Sequence, residues 1–146
     1  MSTQVEYIKS LTCFKDLSAE DQIAIAQISD GVCYPPGYVL FKEGEKANKL
    51  YLIVKGQAEA ILNIGEDGQV RVETLSDDLI AGCSALLEPH FYSATERSIS
   101  DIEVLEIDIM SLEKLIHENC HLGLRLYENI IKVLTNRIFE LRLAAL

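Results

Sequence analysis

No apolar run in these 146 residues approaches the roughly 20 that a membrane-spanning helix needs. The opening MSTQVEYIKS lacks the basic flank and apolar core of a secretory signal. A cytoplasmic location is therefore expected. Positive charge is scarce: 13 Lys and Arg stand against 23 Asp and Glu, a net charge of −10. Nucleic acids and anionic membranes both attract cationic surfaces, so neither is an expected partner. No two of Cys13, Cys33, Cys83 and Cys120 have C-x-x-C spacing. Zinc and iron–sulfur cysteine sites thus lack support, and free buried thiols are expected. A G-x-S-x-G elbow, a Walker loop, linkers, low-complexity tracts and internal repeats are missing too. No catalytic residue, metal or cofactor is assigned. What remains is an ordinary globular composition, 49% apolar and 25% charged, long enough for one core.

The chain changes texture twice. LSAEDQIAIAQI, residues 17–28, reads as a short helix with Ser18 as N-cap and Glu20 and Asp21 in the first turn, where acids suit the helix dipole. Gly31 is expected to close it. After Pro35-Pro36-Gly37 come segments rich in β-branched and aromatic residues. Ala58, Ala60, Leu62 and Ile64 alternate with Gln57, Glu59, Ile61 and Asn63. Val70, Val72 and Thr74 alternate with Arg71 and Glu73, and Gly65 to Gly68 reads as the hairpin loop between the two runs. A last strand, DIEVLEID, ends near Asp108. Many short strands punctuated by glycine suggest a small barrel. SLEKLIHEN then forms one short helix and residues 123–146 a long one.

The expected fold class is α+β, mainly β: a β-roll or jelly-roll barrel over about 32–108, with a short N-terminal helix and two C-terminal helices over about 109–146. All of it forms a single domain, 1–146. On the long helix Leu124, Tyr127, Ile131, Leu134, Ile138, Leu141 and Ala145 follow a 3, 4, 3, 4, 3, 4 spacing. That heptad seam wants a partner helix. Leu126, Ile130 and Val133 form a second apolar face. Two faces allow one to pack on the strands while the other makes a homodimer through 122–146. The alternative is one wide stripe buried in the monomer.

The order of elements and one stretch, LFKEGEKANKLYLIVKG at 40–56, resemble the cyclic nucleotide-binding domain family, the sensor domain of catabolite-activator-type regulators, kinase regulatory subunits and gated channels. Leu40, Gly44, Glu45, Ala47, Leu50 to Ile53 and Gly56 fit the family pattern, and Phe41 departs from it mildly. The resemblance runs from about Leu11 to about Leu141 and implies a non-catalytic, ligand-sensing regulatory domain.

It also implies a ligand site, the phosphate-binding cassette. Here Gly82, Ala85, Leu86, a five-residue spacer, Ser93, Ala94 and Thr95 keep the frame. Two charged residues are replaced. Cys83 stands where the family has the glutamate that bonds the ribose hydroxyl, and Tyr92 where it has the arginine that pairs with the cyclic phosphate. Losing a charge-assisted phosphate contact costs about 2–5 kcal/mol. A micromolar site thereby becomes weaker than about 30 μM, so cAMP and cGMP are doubtful ligands and another small molecule is open. The candidate pocket residues are Gly82, Cys83, Ser84, Ala85, Tyr92, Ser93, Ala94 and Arg137.

Among replacement cations, Arg97 stands an odd five residues beyond Tyr92 and is expected to face away. Arg71 reads as a surface residue and His90 as exposed loop. Arg137, on the long helix near the family's base-contacting level, is the remaining candidate, with an ion pair as its alternative role.

His117-Glu118-Asn119-Cys120-His121 spells H-E-x-x-H, which on one helix would hold zinc with Glu118 as general base. The family breaks its helices near Asn119-Cys120, and Glu140, 19 residues beyond His121, would lie roughly 28 Å away along a continuous helix. Three functions stay open: a dimeric sensor, a ligand-free docking scaffold, and a metal hydrolase resting on this string alone. No helix-turn-helix follows the long helix within the sequence. The expectation is an output domain outside it or a protein partner.

Overall fold

The computed structural model describes residues 2–146. Two helices precede the strands. α1 (Ser2–Ser10) and α2 (Ala19–Gln27) are joined by a series of turns. α2 starts where its cap dictates: Ser18 Oγ accepts a hydrogen bond from the Asp21 N–H at 3.1 Å. α1 is an addition to the expected plan. Its Ile8 is fully buried, and Leu11 and Phe14 just after it enter the same core.

Eight strands follow: β1 (Ser29–Tyr34), β2 (Val39–Phe41), β3 (Lys49–Lys55), β4 (Ala58–Asn63), β5 (Gln69–Leu75), β6 (Ile80–Ala81), β7 (Thr95–Ser98) and β8 (Ile102–Asp108). They do not make the expected β-roll or jelly-roll barrel. They form two open four-stranded sheets, ordered β1-β8-β3-β6 and β2-β7-β4-β5. No strand of one sheet pairs with a strand of the other, so neither ladder closes and each sheet keeps two edges. Among the described residues the fold is therefore mixed α/β, two sheets and four α-helices.

The sheet switches lie at the punctuation. Pro35-Pro36-Gly37 carries the chain from β1 to β2, and Gly56-Gln57 from β3 to β4. Gly56 has φ +106°, and a Cβ there would meet the Asp101 carbonyl oxygen at 2.4 Å. Only glycine fits that crossing. Gly31, expected as a helix stop, lies inside β1 paired with Leu105, and Ile28 caps α2 instead.

The core draws Leu50, Leu52, Val104 and Ile107 from one sheet and Phe41, Ala58 and Leu75 from the other. The expected β4–β5 hairpin forms, with Ala58 opposite Leu75 and Asn63 opposite Gln69. A bulge between Ala60 and Ile61 breaks its alternation, so Ala58 to Ile61 are all buried.

α3 (Ile109–Glu118) and α4 (Cys120–Ala144) close the chain. Asn119 separates them. Its side-chain oxygen accepts from the Leu122 N–H at 3.1 Å and its amide donates to Asp21 at 3.2 Å. α4 lays Leu126, Ile130 and Val133 into the core. Buried Asn129 ties it to the N-terminal region, donating to the Cys13 carbonyl at 2.9 Å and to Asp16 at 2.7 Å. The heptad seam points outward: Leu124 is 61% exposed, Ile131 62% and Ile138 49%.

Cysteine burial differs from expectation. Cys13 is buried and Cys83 half-buried, but Cys33 and Cys120 are exposed, Cys33 on the edge strand β1 and Cys120 at the α3–α4 break. Among the described residues no helix is long and apolar enough to cross a membrane.

Candidate functional site

After β6 the chain turns through Gly82, in the left-handed region at φ +81°, into a short 3-10 turn over Cys83–Leu86. Left-handed backbone favours glycine, and space demands it as well: a Cβ would stand 3.1 Å from the Tyr92 ring. Ala85 is fully buried, and its N–H donates to the Gly82 carbonyl at 3.0 Å. His90 is drawn back onto this turn, its Nδ1 2.8 Å from the Ala85 carbonyl. It is half-buried rather than the freely exposed loop residue expected. Ser84 Oγ donates to Ser93 Oγ at 3.2 Å, joining the two small-residue patches.

Tyr92 is buried, with its ring stacked on Phe41 at 3.9 Å between centroids and 17° between planes. Its hydroxyl donates to the Lys49 carbonyl at 2.8 Å and accepts from the Lys49 N–H at 3.2 Å. Two of the departures from the family pattern, Phe41 and Tyr92, thus lie against each other. An aromatic plug fixed to β3 occupies the position expected of a phosphate-binding arginine.

Between the patches lies a cavity of about 210 Å³ lined by Phe41, Leu75, Cys83, Tyr92 and Leu134, among others. Gly82, Ser84, Ser93 and Ala94 reach it as well. Its charged lining is acidic, from Glu73 and Glu96, and includes no Lys, Arg or His. The nearby cations are engaged elsewhere. Arg97 does turn away, meeting Glu59 at 2.7 Å, and Arg71 reaches the same carboxylate at 2.9 Å. These two hold the Glu59 carboxyl below its ordinary range. Arg137 pairs with Glu73 at 2.6 Å and donates to the Thr74 carbonyl at 2.6 Å and to Glu140 at 3.2 Å. It borders a separate groove with Glu140 and Leu141.

Cys83 faces the cavity, and burial, then the charge of Glu73, pushes its thiol up to about 11. It is a poor nucleophile at neutral pH.

Glu96 is the residue that sequence reasoning passed over. The parity that turns Arg97 outward turns Glu96 inward, and only 3% of it is exposed. One of its carboxyl oxygens, Oε1, has no hydrogen-bond partner. Burial, then Glu73 and Glu59, pushes its carboxyl up to about 8.

The H-E-x-x-H string does not form a metal centre. His117 is in the last turn of α3, His121 lies beyond the break at Asn119, and both are exposed. Among the described residues no group of three or more His, Cys, Asp or Glu could hold a metal ion.

With the two sheets, the closing helices and the cassette frame in place, residues 32–119 match the cyclic nucleotide-binding domain. The chain belongs to that family. It is similar to the cAMP-dependent protein kinase regulatory subunit of Colletotrichum orbiculare, 24% identical over 111 residues, 76% of this chain. It spans 28% of that relative's length. A protein of known structure from Geobacter metallireducens GS-15, named for cyclic nucleotide binding, shares 28% identity and a TM-score of 0.81, covering 91% of this chain and 96% of that one. A cyclic nucleotide-binding domain from Methylobacillus flagellatus KT superposes with a TM-score of 0.80 at 20% identity, covering 96% and 79% respectively. As a member of that family it is a regulatory, ligand-sensing domain.

Proposed function

We propose that this is a sensor domain whose cassette has given up tight binding of cAMP and cGMP. One observation carries the reading: Tyr92, buried and stacked on Phe41, fills the place of the phosphate-pairing arginine. Cys83 offers no carboxylate to a ribose hydroxyl, and no Lys, Arg or His lines the cavity to pair with a phosphate. Desolvating an anion there, with no countercharge, is unfavourable by several kcal/mol.

The same reading makes residues 1–146 one sensor unit and α4 its output. The buried face of α4 packs on the core, and of the seam residues Leu134 turns in to touch the cavity while Leu124, Tyr127, Ile131, Ile138, Leu141 and Ala145 are exposed. A second copy of the chain fits that seam through heptad packing. An occupant of the cavity would press on Leu134 and shift the pose of the helix, which a partner or an attached output domain reads.

A ligand-free scaffold is the second reading, favoured by the small size of the cavity. Melting curves separate the two. A ligand at 100 times its dissociation constant adds about 2.7 kcal/mol of stability. A clear upward shift with any member of a small-metabolite panel supports the sensor. No shift across the panel supports the scaffold.

A further inference from the structure

We propose that the cavity beneath Gly82 to Ala85 takes a small organic cation, a protonated amine with an apolar body, anchored on the Glu96 carboxylate. This rests on the reading of the cassette as a ligand site that no longer suits a cyclic phosphate. Three observations define the ligand. Glu96 lines the cavity, is almost fully buried, and keeps an oxygen without a donor. Buried polar groups nearly always have partners, so an orphaned oxygen on a carboxyl that lines the cavity calls for a donor from outside the chain.

Among the described residues none supplies such a donor. Arg71 and Arg97 close on Glu59 outside the cavity, Arg137 closes on Glu73, and Lys49 reaches Glu106 at 3.0 Å. The remaining walls are Phe41, Leu75, Ile80, Tyr92 and Leu134, which suit a hydrocarbon body. A volume of about 210 Å³ suits a small organic molecule.

Across the cavity Glu96 shares the lining with Glu73 on β5, whose charge Arg137 of α4 offsets, and with the neutral Tyr92 and Cys83, while Glu59 on β4, paired with its two arginines on the other face, acts on it only through its charge. Burial, then Glu73 and Glu59, pushes its carboxyl up to about 8. A cation that binds the carboxylate must therefore displace a proton at neutral pH. Apparent affinity then falls about tenfold for each pH unit below 8.

The test titrates the purified chain with benzylamine, with benzoate as its anionic counterpart and cAMP as a separate arm, following melting temperature and heat at several pH values. Benzylamine should stabilise the protein at millimolar concentration and benzoate should not. The benzylamine effect should weaken from pH 8 to pH 6 and disappear in Glu96→Gln. An equal response to benzoate, a response retained in Glu96→Gln, pH-independent affinity in the wild type, or no response to benzylamine would overturn the proposal. Micromolar binding of cAMP would instead overturn the reading of the cassette on which it rests.

Discussion

Replacing Glu96 by glutamine should make the domain more stable, and increasingly so as pH rises. The native carboxyl titrates near 8 and an unconstrained one near 4.5. Between those values the folded protein holds a proton that the unfolded chain has released. Stability from this group is complete below pH 4.5 and is lost as pH climbs through 8. Each unit of separation is worth 1.36 kcal/mol, so the penalty reaches roughly 5 kcal/mol at full ionisation. Most of it, about 3–4 kcal/mol, develops between pH 5 and pH 8. Glutamine has the shape of the protonated acid and cannot ionise. For a chain of this size each kcal/mol moves the melting temperature by roughly 2–4 °C. The difference between Glu96→Gln and wild type should therefore grow by roughly 10 °C from pH 5 to pH 8. Parallel melting curves at each pH measure it, and subtraction removes every other titrating group. A difference that stays constant across this range would refute the placement of Glu96 as a buried, unpaired acid.

Tyr92→Phe keeps the plug but removes the hydroxyl that bridges the Lys49 carbonyl and N–H. It should destabilise by about 1–2 kcal/mol, a fall of roughly 3–6 °C in melting temperature, leaving the Lys49 backbone groups without that partner. Gly56→Ala should cost more than about 1 kcal/mol, because a Cβ would collide with the Asp101 carbonyl in a left-handed conformation; chemical denaturation gives the number. Sedimentation should show a dimer at micromolar concentration and a monomer once the exposed seam residues Ile131 and Ile138 are both changed to Glu.

Local chemistry was legible in the sequence, and pairing between distant segments was not. Ser18 announced its helix through a side chain that could reach only its own first turn. Gly65 to Gly68 announced a hairpin because both partners lie beside the loop. Whether two sheets close depends on contacts between strands far apart in sequence, and no local signal separates an open pair of sheets from a barrel. α1 carries only Val5 and Ile8 at a helical spacing, an apolar stripe too short to stand out from a polar terminus. Gly31 was misread because a glycine after a helix signals its end, while here it lies in a strand against Leu105.

In the site, the frame at Gly82, Ala85 and Ser93 could be read from spacing, and so could the substitutions at Cys83 and Tyr92. The stacking of Phe41 on Tyr92 joins residues 51 positions apart and needed the fold. Glu96 was within reach. Strand alternation placed it inward once Arg97 was placed outward, but an acid in a site sought for anions drew no notice.

Isothermal titration of the purified domain with cAMP tests the central claim most directly. With Tyr92 in place of an arginine and two glutamates lining the cavity, the dissociation constant should be weaker than about 30 μM, or binding undetectable. A dissociation constant in the low micromolar range or tighter would contradict it.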